Sequence, residues 1–163
     1  MKWTIFIFDI SNIGMANKMS DATKLTDVIF YSIDRAIRTY RQYSQKQIRD
    51  KGFDITIDQW LVIKALLENP GVKQQELAEI VLKDNASITR IIEILVKNGW
   101  IGRTEHPSDR RQVQLTMTVK GQEMLAELQP LILANRRKAL KGIDDKRIMS
   151  SKIMLDQIAK NCK

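Results

Sequence analysis

One cysteine, one histidine, three prolines and seven glycines among 163 residues put several kinds of protein out of reach. The lone Cys162 allows no intrachain disulfide, which points to a reducing, cytoplasmic setting. His106 lies far from Cys162 along the chain, so a nucleophilic pair would need a coincidence of folding. A zinc site built from the two would lack its other soft ligands. Glycine forms no phosphate-cradling loop. His106 therefore reads as a solvated turn residue, and the chain as no enzyme, with no cofactor and no metal. No apolar run reaches the ~18 residues that a membrane span requires, so no membrane partner is expected. The opening MKWTIFIFDI has only the outline of a secretion signal: Asp9 interrupts it early and no small-residue cleavage site follows. Residues 1–20 read either as an N-terminal arm that packs on a partner or as a start counted too early, with Met15 and Met19 as alternatives.

What is abundant is positive charge. Lys and Arg outnumber Asp and Glu by 27 to 19, a net charge of +8, which favours nucleic acid or another anionic surface as partner. Apolar residues recur at helical spacing. From Lys24 to Arg49, the positions Leu25, Val28, Ile29, Ile33, Ala36, Ile37 and Tyr40 share one stripe, and Gly52 stops the helix. ITIDQW opens a second helix, with Thr56 as cap, Gln59 reaching back and Ile55 stapling onto Trp60; it runs to Pro70-Gly71. KQQELAEIVL is a short third helix. A fourth runs from the Asp84 cap through NASITRIIEILVKN to Gly99. WIGRTE and QVQLTM read as strands joined by HPSDRR, with Val113, Leu115 and Met117 on the buried face. Thr118 caps a helix to about Leu140, and Asp144 caps the last one, with Ile143 stapling on Ile148. Three short helices closed by a two-stranded hairpin make a winged helix-turn-helix. The fold class is mainly α (α+β), with N- and C-terminal helices outside the winged unit.

In the fourth helix, Ile88, Ile91, Ile92 and Leu95 form a core-facing stripe, leaving Asn85, Ala86, Ser87, Thr89 and Arg90 on the outer side. The second helix of such a motif meets base edges with its N-terminal residues. Asn pairs with adenine, Ala touches a thymine methyl, and Arg reaches guanine or phosphate. Lys73, Gln74 and Lys97 are candidate phosphate contacts. At the hairpin tip, Arg111 is expected to enter the minor groove, with Asp109 orienting it and Arg110 on phosphate. The bland readings remain beside these: a capped helix surface and a solvated turn. Tyr31, Arg35, Arg38 and Trp60 could form an aromatic and cationic effector pocket, although aromatics at helical spacing more often build core. The first and last helices carry apolar stripes (Leu25 and Ile29; Ile148, Leu155 and Ile158) with no place inside so small a winged unit. Pairing two chains would bury both.

Three stretches together resemble the MarR family of bacterial transcription regulators: ITIDQWLVIKALLENPGVKQQELAE, ASITRIIEILVKNGWIGRTEHPSDRRQVQLTMTVKG, and within it the Asp-x-Arg of Asp109 and Arg111. The likeness runs from about Thr23 to Ile158. It implies a homodimeric, sequence-specific regulator of double-stranded DNA, a ligand-responsive repressor on a pseudo-palindromic operator. Its effector would be a small aromatic or phenolic anion. Residues 21–52 and 119–163 would form the dimerisation platform and 53–118 the DNA-binding domain. Lys73 departs from the family's Ser or Thr cap. The competing reading is a winged-helix protein-interaction module without DNA binding.

Overall fold

The computed structural model describes the backbone of residues 24–106 and 109–163, and the side chains of 24–104 and 114–163. Six helices and a hairpin follow in order: α1 (Ile29–Asp50), α2 (Ile57–Glu68), α3 (Gln74–Ile80), α4 (Asn85–Lys97), β1 (Ile101–His106), β2 (Asp109–Met117), α5 (Val119–Ala139) and α6 (Asp145–Asn161). Two compact units result, one ending at Thr39 and the other spanning Tyr40–Lys163.

In the first unit the long helix starts five residues later than the apolar spacing suggests. Leu25–Asp27 form a 3-10 turn and Val28 is extended, with φ −80° and ψ 118°. Thr26 and Asp27 carry short polar side chains that compete for the backbone, and the β-branched Val28 and Ile29 follow them, so helix does not propagate backwards from Ile29. The Arg38 guanidinium meets Asp34 at 2.7 Å, and Arg35 lies 5.7 Å from the Tyr31 ring centre.

In the second unit the start signals hold. Thr56 Oγ1 accepts from the Gln59 N–H at 3.1 Å, and Gln59 Oε1 accepts from the Thr56 N–H at 2.8 Å. Asp84, Thr118 and Asp144 cap α4, α5 and α6 in turn. Lys73 supplies no side-chain cap; its N–H donates to Glu76 Oε2 at 3.4 Å. One continuous core holds the winged unit: Ile48 of α1, Ile55, Trp60, Val62, Ile63 and Leu66 around α2, Leu77 of α3, Ile88, Ile92 and Leu95 of α4, Trp100, Ile101 and Leu115 at the hairpin base, and Leu128 and Ile132 of α5. Burying each of the larger side chains contributes about 1.5–3 kcal/mol. The helix-turn-helix is thus anchored from every side except its outer face.

Nothing in the periodicity of α1 marks Gln45. Its amide donates to the Ile55 carbonyl at 3.0 Å and its Oε1 accepts from the Ile57 N–H at 2.9 Å, fixing the entry to α2. The hairpin is antiparallel, with Ile101 opposite Met117 and Glu105 opposite Val113. His106 then pairs with Asp109, so residues 110–112 of β2 bulge without a ladder partner. This corrects the expected hairpin: Asp109, Arg110 and Arg111 belong to a strand, not to a six-residue connection. Only Pro107 and Ser108, outside the described residues, separate the strands.

Candidate nucleic-acid interface

Helix α4 is presented by packing on its inner side and capping at its start. It contacts α2, α3 and β1, and Ile88, Ile92 and Leu95 are fully buried. The Asp84 carboxylate accepts from the Ser87 N–H at 2.7 Å and from the Ser87 hydroxyl at 2.8 Å. Those two bonds hold its pKa below the ordinary carboxylate range. Asn85, Ala86 and Arg90 are exposed, while Ser87 and Thr89 are half-buried. Lys73 and Lys97 are exposed and Gln74 is half-buried. None of the residues expected on the outer face of α4 is buried. The Gln74 amide donates to Thr89 Oγ1 at 2.8 Å, and the Thr89 hydroxyl donates to the Asn85 carbonyl at 2.7 Å. Nothing local in the sequence marks this bond, which joins two helices.

The turn before α4 carries two unusual features. Leu82 adopts a left-handed backbone, φ 53°, and is 90% exposed. Beside it, Lys83 reaches Asp58 at 3.1 Å, and Asp58 also pairs with Arg41. Burial alone would raise the Asp58 pKa, but hydrogen bonds and charge from Arg41 and Lys83 outweigh it and hold the carboxyl below its usual range. The turn, α2 and α1 are joined by this one carboxylate.

The hairpin beyond α4 is tied to α5. Thr118 donates to the Gly99 carbonyl at 2.6 Å and accepts from the Gly121 N–H at 3.0 Å. Lys120 Nζ donates to the Asn98 carbonyl at the end of α4, at 2.8 Å. A Cβ on Gly121 would stand 2.0 Å from the Trp100 carbonyl oxygen, so only glycine allows this approach. The side chains of Asp109, Arg110 and Arg111, and that of His106, lie outside the described residues, as does the arm at 1–20.

Of the expected effector residues, Trp60 is 7% exposed and belongs to the core, with the Arg136 guanidinium 5.6 Å from its ring centre. Nothing local in the sequence marks the approach of Arg136 to Trp60, since the two are distant along the chain. Among the expected dimer residues, Leu25, Ile29 and Leu155 are exposed, and Ile148 and Ile158 are half-buried. No residue of α6 is buried; Met149, Ile153 and Met154 are exposed too. Among the described residues, no group of three or more His, Cys, Asp or Glu side chains is placed to hold a metal, and no helix is long and apolar enough to cross a membrane.

Residues 55–113, from just before the Thr56 cap of α2 to Val113 of β2, match the model of the MarR family. Over those residues the chain is similar to the MarR family. The transcriptional repressor MprA of Escherichia coli (strain K12) is 34% identical over 85 residues, 52% of this chain and 48% of MprA. The chain thus spans about half the length of that relative. Two solved structures share the fold. BpsR of Bordetella bronchiseptica, whose DNA binding is regulated by 6-hydroxynicotinic acid, has a TM-score of 0.76 at 20% identity, over 84% of this chain and 96% of that one. CouR from Rhodococcus jostii RHA1, bound to p-coumaroyl-CoA, has a TM-score of 0.74 at 23% identity, over 85% and 96%. The relatives it matches are named as transcriptional regulators or repressors.

Proposed function

We propose that the chain is a sequence-specific repressor that binds double-stranded DNA as a homodimer on a pseudo-palindromic operator and is released by a small aromatic anion. The observation that carries this reading is the outer face of α4. Three large apolar residues fix its inner side, and Asn85, Ala86 and Arg90 stand free of it on an exposed first turn and a half. These are side chains that major-groove edges accept. The +8 charge supplies the sequence-independent attraction. In this reading Lys73 and Lys97 meet phosphate, and Arg111 enters the flanking minor groove beside Asp109 and Arg110. The exposed apolar residues of α6, with Leu25 and Ile29, meet their counterparts in a second copy. That pairing would set the two α4 helices ~34–36 Å apart, one turn of DNA.

The effector class rests on two structural neighbours, one regulated by 6-hydroxynicotinic acid and one bound to p-coumaroyl-CoA. Within the second unit, Trp60 and Arg136, whose guanidinium lies 5.6 Å from the ring centre, are the side chains proposed to meet such an anion. The effector would favour a lobe arrangement that no longer fits DNA, a shift of populations.

Selection of bound sequences from random duplex DNA, with and without aromatic acids, tests the reading. An inverted repeat should emerge, and Arg90→Ala should relax one position in each half. Arg111→Ala should weaken binding and lower the slope of log affinity against log salt by up to about one unit. Absence of any selected sequence would overturn the proposal.

A further inference from the structure

We infer that Thr89 is a positioning residue which, through its bond to Gln74, sets how α4 is presented, so that base reading falls to Asn85, Ala86 and Arg90. The inference rests on the DNA-binding reading above and divides the outer face of α4 into two kinds of residue.

A threonine hydroxyl has one hydrogen to donate. In this chain that hydrogen goes to the Asn85 carbonyl one turn back, at 2.7 Å, and the oxygen accepts the Gln74 amide at 2.8 Å. A β-branched side chain bonded to the preceding turn is held in a single rotamer. The base edges that dominate the major groove are acceptors: N7 and O6 of guanine, N7 of adenine, O4 of thymine. A hydroxyl whose hydrogen is already committed has nothing to give them. Ser87 is in the same condition, with its hydroxyl bound to Asp84 at 2.8 Å. By contrast, the side chains of Asn85 and Arg90 make no hydrogen bond to another described residue, and both are exposed.

The clamp complements the core. Leu77, Ala78, Ile88 and Ile92 close the inner side of the α3–α4 contact. Gln74 is the first residue of α3, and its bond to half-buried Thr89 closes the outer side. Without it, α4 keeps its buried stripe yet gains freedom to rock about it. That freedom would have to be given up on binding, at a cost to affinity on every DNA sequence alike.

The experiment uses the full chain in five forms: unaltered, Thr89→Val, Thr89→Ser, Gln74→Leu, and the Thr89→Val/Gln74→Leu double variant. Each is run through random-duplex selection and then titrated against the sequence the unaltered chain selects. Thr89→Val and Gln74→Leu should each weaken binding about three- to tenfold, the worth of one net hydrogen bond. The double variant should lose no more than either single one, selected sequences should not change, and Thr89→Ser should bind as the unaltered chain does. The Gln74 side-chain amide resonances, recorded without DNA, should move in Thr89→Val. A changed base preference in Thr89→Val, or additive losses, overturns the inference in favour of direct base reading. Unmoved amide resonances overturn the clamp itself. If those resonances move while the unaltered chain selects no sequence, the DNA-binding reading fails and takes the positioning role with it.

Discussion

Leu82 holds a backbone conformation that L-residues avoid, φ 53°, at a cost of about 1–2 kcal/mol. Because its side chain is 90% exposed, no core packing offsets that cost. Glycine at this position gives some of the gain back through its freer unfolded chain. Leu82→Gly should therefore stabilise the fold by up to about 1 kcal/mol in chemical denaturation, and the β-branched Leu82→Val should destabilise it. At Asp58 the sign runs with pH. Its carboxyl titrates below the ordinary value of about 4 because Arg41 and Lys83 prefer it charged. The stabilisation is thus fully present above that ordinary value and is lost as pH falls through the lower folded one. Unfolding curves of the unaltered chain and Asp58→Asn should differ most at neutral pH and converge in acid. A constant gap down to about pH 2 would remove the ion pairs as its cause.

Among the elements, the helices were largely legible, since Thr56, Asp84, Thr118 and Asp144 announce their own helices through local chemistry that needs no tertiary partner. Where the reading missed, the deciding contact was distant or the competition local. Leu25 fits the apolar spacing of α1 but sits in a 3-10 turn, and Gln45 is an ordinary surface glutamine until Ile55 and Ile57 fold against it. Arg110 and Arg111 read as turn residues because charge and a preceding proline mark turns. Their place in a bulged strand, with no ladder partner of their own, follows from the pairing of Glu105 with Val113 and of His106 with Asp109. The α4 surface was legible as a face, but not the division of labour within it, since the Gln74–Thr89 bond joins two helices. At the junction of hairpin and α5, Gly121→Ala should cost at least the upper end of the ~1–3 kcal/mol usual for overpacking. The added methyl meets the Trp100 backbone, which no rotamer change relieves. A melting temperature equal to that of the unaltered chain would remove the close approach of Gly121 to Trp100 as a constraint.

At the level of the whole molecule, α6 is a seventeen-residue helix with no buried residue, and Ile153 on it is 62% exposed. A lone chain has no reason to keep Met149, Ile153, Met154 and Leu155 in water, which fits the proposed pairing with a second copy. Ile153→Glu should shift sedimentation from dimer towards monomer while leaving the helical circular-dichroism signal intact, and DNA affinity should fall with it. An unchanged dimer would move the interface elsewhere. The tie of Thr118, Lys120 and Gly121 to the base of the hairpin also has a mechanical side. The ribbon of six-residue β1 is a lever about 20 Å long, so a tilt of about 6° at its fulcrum swings the tip by about 2 Å. A hydrogen bond does not survive that excursion. A molecule lodged against α5 could loosen the grip on an operator without coming near it.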